Sequence, residues 1–148
     1  MKVLLDGLQA GNQSGTGRYV EELCRGMQAE DSGQVEIRPF LPKSLEVSRL
    51  GYADNTVIRV DMDKVLGGTR YRDKKILKDI KAFEPDIVHY TATFGSQAKR
   101  RKWDRSKVVL TVHDLIFLRN AEWFKRGRAK LYQKLIKKSV AYADRIIA

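Results

Sequence analysis

Two histidines and one aspartate offer the clearest chemistry in this sequence. His89 and His113 are the 2 histidines of the chain, and each stands where an apolar, β-branched run stops. Asp114 follows His113 directly. An imidazole can exchange a proton or a hydrogen bond near neutral pH, and a carboxylate beside it can orient a hydroxyl group. The same aspartate can instead cap the segment that follows it. The first hypothesis is a site with His113 and Asp114 as catalytic residues.

A metal site is a weaker interpretation of these residues. Two histidines and one carboxylate are a known ligand set. However, His113 and Asp114 are neighbours in the chain, and the sequence contains no other cluster of ligand residues. No metal is therefore expected. The single cysteine, Cys24, lies in a helical pattern and is predicted to be a reduced packing residue in the core rather than a nucleophile.

A glycine-rich segment separates the first predicted strand from the first predicted helix. Its spacing, G-x-x-x-G-x-G from Gly11 to Gly17, is neither the dinucleotide-binding pattern nor the P-loop. Two interpretations remain open. The segment can be a flexible turn capped by Ser14, or it can bind an anion or a sugar through the backbone of Gly15, Thr16 and Gly17 at a helix N-terminus.

The alternation of strands and helices predicts how these residues are positioned. Strands are predicted over 2–6, 35–41, 56–60, 87–90, 107–112 and 145–148, with an irregular segment over 43–55. Helices are predicted from residue 15 to about residue 30, over 71–83 and over 122–143. The last is expected to bend near Gly127 and to bury Leu131, Leu135, Ile136 and Val140.

This alternation indicates an α/β fold: a Rossmann-like, doubly wound parallel sheet with helices on both faces. Ligands of such sheets bind beyond the carboxyl ends of the strands. If the strands that carry His89 and His113 are neighbours, both rings are expected to point into the same crevice.

Length and composition are typical of one soluble globular domain over residues 1–148, with 43% apolar and 32% charged residues. No apolar run approaches the roughly 20 residues that span a bilayer, and the N-terminus does not resemble a signal peptide. A cytoplasmic location is therefore expected. Because the chain stops inside an apolar strand, we also expect it to be a piece of a longer protein.

The positive charge is concentrated in one segment. Residues 99–138 hold the whole net charge of +11, while the rest of the chain is balanced. Cations beside aromatic residues suit an anionic membrane surface, the phosphates of a nucleic acid, or simple solvation, and we favour the membrane. The residues assigned to this surface are Lys99, Arg100, Arg101, Lys102, Trp103, Trp123, Lys125, Arg126 and Arg128.

Five short motifs occur in a familiar order. They are DG at 6–7, SGTGRY at 14–19, PDIVHY at 85–90, TVHDL at 111–115 and ADRII at 143–147. Together they resemble the N-terminal half of a family 4 glycosyltransferase of the GT-B fold. The mannosyltransferase-like group, which carries S-G-x-G-R-Y after the first strand, is the most similar.

The resemblance implies half of an enzyme. In the GT-B fold two Rossmann-like domains face a cleft; the N-terminal one receives the acceptor, and the C-terminal one, absent from this chain, holds the nucleotide-sugar. It implies that the glycine segment at 15–17 approaches the donor phosphates and that His113 lies beside the transferred sugar. The acceptor side would include His89 and Tyr90. The implied enzyme retains anomeric configuration and requires neither a metal nor a cofactor.

The predicted function is therefore hexosyl transfer from a nucleotide-sugar, such as GDP-mannose or UDP-hexose, to a glycan or a lipid-linked acceptor. The isolated chain is expected to have little activity, and the enzyme to lie peripherally on the inner face of the membrane. One alternative is a non-catalytic α/β binding module whose basic surface holds nucleic acid, although no nucleic-acid motif is present. Another is a different GT-B enzyme, such as a phosphorylase or an epimerase.

Overall fold

In the part of the chain that the structure describes, six parallel strands form one sheet. The structure, a computed structural model, describes residues 1–30, 33–60, 78, 81–94, 105–125 and 127–148. The strands are β1 (Lys2–Asp6), β2 (Glu36–Pro42), β3 (Ile58–Val60), β4 (Ile87–Tyr90), β5 (Lys107–Thr111) and β6 (Arg145–Ile147). Their order across the sheet is β3-β2-β1-β4-β5-β6, and every pair is parallel. The predicted Rossmann-like parallel sheet is confirmed.

The sheet is doubly wound about β1. The chain runs outward from β1 to β3 and then returns to β4 on the other side. Because successive side chains of a strand point to opposite faces, Leu4 and Leu5 start two separate hydrophobic clusters. The Leu5 cluster takes Val20 and Cys24 from the first helix. The Leu4 cluster takes Phe83, a helical residue on the opposite face.

Helix α1 (Gly15–Ala29) follows the glycine-rich segment. Ser14 begins it, since the Ser14 side chain accepts a hydrogen bond from the Gly17 backbone N–H. Val20 and Cys24, four residues apart, are fully buried against the sheet. The prediction that Cys24 is a core packing residue is confirmed. Burial and the nearby Glu21 carboxylate raise the pKa of the Cys24 thiol to about 12, so the thiol stays protonated.

The segment 43–55 is irregular in backbone but contributes to the core. It contains two short 3-10 turns, Val47–Leu50 and Asp54–Thr56. Leu50 and Tyr52 are buried in the Leu5 cluster. The Tyr52 hydroxyl donates to the Cys24 carbonyl at 3.3 Å. This turn-rich connection therefore packs on the same sheet face as α1.

The predicted helix over 122–143 is corrected by the structure. The chain forms a short helix α2 (Ile116–Arg119), a 3-10 turn (Ala121–Trp123) and then helix α3 (Arg128–Tyr142). Gly127, with φ of 83°, breaks the helix rather than bending it. Of the helix predicted over 71–83, Lys78 and residues 81–83 are helical, and the remainder lies outside the described residues.

Helix α3 is also rotated relative to its predicted orientation. Leu131 and Val140 are 50% and 42% exposed, whereas Ala129, Ile136 and Ser139 are buried. The inner face predicted from the apolar residues is therefore wrong for Leu131 and Val140. Next to Leu131, Tyr132 joins an aromatic cluster. Its rings lie 5.1 to 5.9 Å apart and belong to Phe94, Phe117, Phe124 and Tyr132.

Candidate functional site

The sheet topology brings the carboxyl ends of β1, β4 and β5 side by side. The chain changes direction between β1 and β4, which is where doubly wound sheets bind ligands. The glycine-rich segment leaves β1, Thr91 follows β4, and His113 follows β5 by two residues. The predicted neighbourhood of the two histidine-bearing strands is confirmed by the β4–β5 pairing.

His113 is the exposed histidine of this edge. Its Nε2 lies 2.7 Å from the Thr91 carbonyl oxygen. A carbonyl only accepts, so Nε2 carries the hydrogen and donates it. In the neutral ring Nδ1 then holds the lone pair and can accept a hydrogen bond from a ligand. Thr91 is itself fixed, because its hydroxyl donates to the Asp6 carbonyl of β1.

Tyr19 connects α1 to this edge, and the sequence analysis missed it. Its ring meets the His113 ring edge-on, with centroids 4.8 Å apart and planes at 80°. Its hydroxyl lies 3.3 Å from Thr111 Oγ1, at the end of β5. The available signal was its place in the SGTGRY motif, one helical turn after Gly15. That position is on the first turns of α1, facing the strand ends.

His89 lies beneath the site rather than in it. Its side chain is 8% exposed, and its Nε2 is hydrogen-bonded to Thr111 Oγ1 at 2.9 Å. Burial lowers the pKa of His89 below its usual value of 6.5, so the ring is neutral at neutral pH. The expectation that both histidine rings open into one crevice therefore does not hold for His89.

Tyr90 points to the opposite face of the sheet. It is 7% exposed and belongs to the hydrophobic cluster around Leu4. The assignment of His89 and Tyr90 to acceptor binding stays a prediction, and the burial of both side chains counts against direct contact with an acceptor.

Asp114 makes a structural contact with the helix that follows it. Its Oδ1 accepts from the Ile116 backbone N–H at 3.2 Å, at the start of α2. The side chain is exposed. Leu115, which makes no side-chain capping bond, is the N-cap of α2, so Asp114 contacts the start of this helix from one residue before the cap. The catalytic role of Asp114 stays a prediction.

The glycine-rich segment is a capped turn. The Gly17 N–H donates to Ser14 Oγ at 3.3 Å, and the Gly11 N–H donates to Glu21 Oε1 at 2.9 Å. The amides of Gly15 and Thr16 start the helix and have no partner within it by position. The turn is therefore both capped and open to an anion. Binding of phosphates by residues 15–17 stays a prediction.

The basic surface combines cations with exposed apolar side chains. Trp123 is 67% exposed, with Lys125 and Arg128 exposed on the same connection. Leu115 and Leu118 nearby are 42% and 45% exposed. The predicted surface residues Lys99, Arg100, Arg101, Lys102, Trp103 and Arg126 lie outside the described residues.

Membrane-spanning helices and metal sites can be assessed in the described part of the chain. No helix there is both long and apolar enough to cross a membrane. Nor does that part bring three or more histidine, cysteine, aspartate or glutamate side chains together as a candidate metal site.

Comparisons with known proteins identify the family. A search of curated proteins gives no match. A family model, described as Glycosyltransferase Family 4, matches residues 13–148. The match covers Gly15 and Gly17, both histidines and Asp114, and it agrees with the parallel α/β sheet. The chain belongs to glycosyltransferase family 4.

Proposed function

We propose that this chain is the acceptor-side domain of a retaining, metal-independent hexosyltransferase of the mannosyltransferase-like group. The donor is a nucleotide-sugar such as GDP-mannose or UDP-hexose, and the acceptor is a glycan or a lipid-linked sugar. The observation that carries the proposal is the exposed His113 ring, held against Thr91 beside the glycine turn of α1. Family membership supports glycosyl transfer in general.

His113 is proposed to contact the transferred sugar through Nδ1. Nε2 is occupied by the Thr91 carbonyl at 2.7 Å, which leaves Nδ1 as the acceptor for a sugar hydroxyl. A hydroxyl held in this way fixes the orientation of the sugar ring, so that its anomeric carbon faces the acceptor while its bond to the leaving phosphate breaks; such orientation accounts for a large part of catalysis.

The glycine turn is proposed to stabilise the donor phosphates. The Gly15 and Thr16 amides point out of the N-terminus of a 15-residue helix, which carries a partial positive charge. The first turn of α1 contains no acidic residue, and Arg18 is exposed beside it. The Glu21 carboxylate lies at the other end of the glycine-rich segment, on the Gly11 N–H. These groups can stabilise a departing nucleoside diphosphate without a metal ion.

The proposed site requires a second domain. In the GT-B arrangement that the motifs resemble, a separate domain binds the nucleotide-sugar across the cleft. We therefore propose that residues 1–148 act together with such a domain and that this chain alone has little or no transferase activity. The open, exposed position of His113 and Asp114 is consistent with half of a cleft.

We also propose that the surface next to the site contacts an anionic membrane. The specific observation is the group of exposed apolar residues just after Asp114, flanked by cations. Exposed apolar patches with a basic border suit the headgroup region of an anionic bilayer. A peripheral position on the inner membrane face would bring a lipid-linked acceptor to the carboxyl edge of the sheet.

The non-catalytic nucleic-acid module is not favoured, since the family match covers most of the chain. Transfer by a protein that joins this chain to its nucleotide-sugar domain tests the proposed enzyme. A panel of UDP- and GDP-sugars identifies the donor, the anomeric signal of the product tests retention, and a chelator tests metal independence. We expect His113→Ala to slow transfer about 100-fold. Undiminished transfer by this variant would contradict the role of His113.

A further inference from the structure

We propose that Tyr19 is a positioning residue that holds the imidazole of His113 through its ring and is itself anchored by Thr111 and the buried His89. The proposal rests on the proposed function only in the use made of His113. The contacts themselves are independent of the reaction.

The His113 ring needs more than one contact to be fixed. Its hydrogen bond to the Thr91 carbonyl holds one nitrogen, but the ring can still tilt about that bond. The Tyr19 ring stands at 80° to it with centroids 4.8 Å apart, which is a favourable edge-to-face arrangement. The two contacts together define where Nδ1 points.

The Tyr19 ring is in turn fixed by its hydroxyl. That hydroxyl is hydrogen-bonded to Thr111 Oγ1 at 3.3 Å. Thr111 is 4% exposed, and the same oxygen is bonded to His89 Nε2 at 2.9 Å. Buried polar groups are costly to leave without a partner. Rotating Tyr19 away would break its part-buried hydrogen bond to Thr111, whose own position is fixed by the buried contact with His89.

The buried contact between Thr111 and His89 is suited to holding Tyr19 in place. His89 is neutral because burial lowers its pKa. It can therefore form a hydrogen bond with Thr111 without burying a charge. A threonine hydroxyl can donate one hydrogen bond and accept others. It can therefore serve both the histidine and the tyrosine.

The geometry also couples the two halves of the proposed site. Tyr19 lies two residues after Gly17, on the first turns of the helix whose N-terminus is the glycine turn. A shift of that turn must move the Tyr19 ring, and with it the support of His113. The donor-phosphate turn and the sugar-contacting histidine would therefore keep a constant spacing.

Nitrogen-15 NMR of the chain, labelled at histidine, tests the proposal directly. With only 2 histidines, the ring signals of His89 and His113 can be assigned by single substitutions. In the wild type we expect the separated nitrogen shifts of one Nε2–H tautomer for His113. In Tyr19→Leu the His113 ring should tilt away from the Thr91 carbonyl and exchange between its two tautomers, which moves the two nitrogen shifts toward each other. Tyr19→Phe should have the same effect in part.

Three variants separate positioning from a general loss of stability. Thr111→Val should change the signals of both histidines, and Thr111→Ser should restore them. Tyr52→Phe removes a tyrosine hydroxyl that bonds the Cys24 carbonyl elsewhere on α1, and it should leave both rings unchanged. Thermal unfolding identifies any variant that is not folded.

Unchanged His113 signals in folded Tyr19→Leu, or in folded Thr111→Val, would overturn the proposal whatever the chain catalyses. The transfer assay in the two-domain protein is a separate measurement. There, Tyr19→Leu should lower kcat about tenfold and leave the donor KM nearly unchanged. If the NMR changes occur but transfer does not fall, positioning stands and the role proposed for His113 fails.

Discussion

Gly17 lies against Asn12 so closely that a Cβ on Gly17 would stand 1.9 Å from the Asn12 carbonyl oxygen. Gly15, two residues earlier, would place its Cβ in open space, with no atom within 4 Å. The two glycines of this motif therefore have different roles. Gly17 is required for the turn to close. Nothing in the described chain requires Gly15, which leaves its surface available to a ligand.

The two alanine variants are expected to separate folding from binding. Gly17→Ala should lower the free energy of unfolding by about 3 kcal/mol, because backbone must move to relieve the contact. Gly15→Ala should change it by less than about 0.5 kcal/mol. In the two-domain protein, however, Gly15→Ala should weaken donor binding. Urea denaturation and donor titration measure the two effects. Equal destabilisation by both substitutions would contradict this division.

Asp114 is expected to act through both carboxylate oxygens. One accepts from the Ile116 N–H at 3.2 Å. Asp114→Asn keeps that acceptor but presents an NH₂ group in place of the second oxygen. We expect this variant to fold normally and to transfer sugar more slowly. Asp114→Ala should also lose about 1 kcal/mol of stability through the lost hydrogen bond to Ile116. Full activity of Asp114→Asn would leave Asp114 with this structural contact alone.

His89 should make the stability of the chain dependent on pH. Burial lowers its pKa below 6.5 in the folded state, so below pH 6.5 the unfolded chain binds the proton more tightly. Its contribution is fully present above pH 6.5 and is lost as the pH falls further. Urea unfolding between pH 5 and pH 7.5 measures this loss. His89→Gln should flatten the dependence, because it removes this proton-binding group. A dependence that stays equally steep in His89→Gln would mean that another group causes it.

The exposed patch after Asp114 should determine membrane binding. Replacing Leu118 and Trp123 by Gln removes two side chains that are 45% and 67% exposed. We expect the partition coefficient onto vesicles containing phosphatidylserine to fall about tenfold, in line with the lost apolar burial. Val140→Gln, at an exposed site near the far end of α3, serves as the control. If all variants sediment with vesicles equally, the patch does not contact the membrane.

Much of this architecture could be predicted from sequence patterns alone. Alternating strands and helices predicted the parallel sheet, and Ser14 before an apolar periodicity predicted where α1 begins. The reason is local: strand propensity, helix capping and helical spacing depend on neighbouring residues. The sequence likewise predicted that His113 lies beyond β5. The order of the motifs also indicated the family.

The directions of side chains were decided only by the tertiary structure. Strand pairing placed His89 beneath Thr111 instead of in a crevice, and Leu131 is exposed on α3 although its spacing predicted burial. Tyr19 and His113, 94 positions apart in sequence, became neighbours through the parallel order of β1, β4 and β5. Such contacts depend on register and packing between distant segments, which no local pattern encodes.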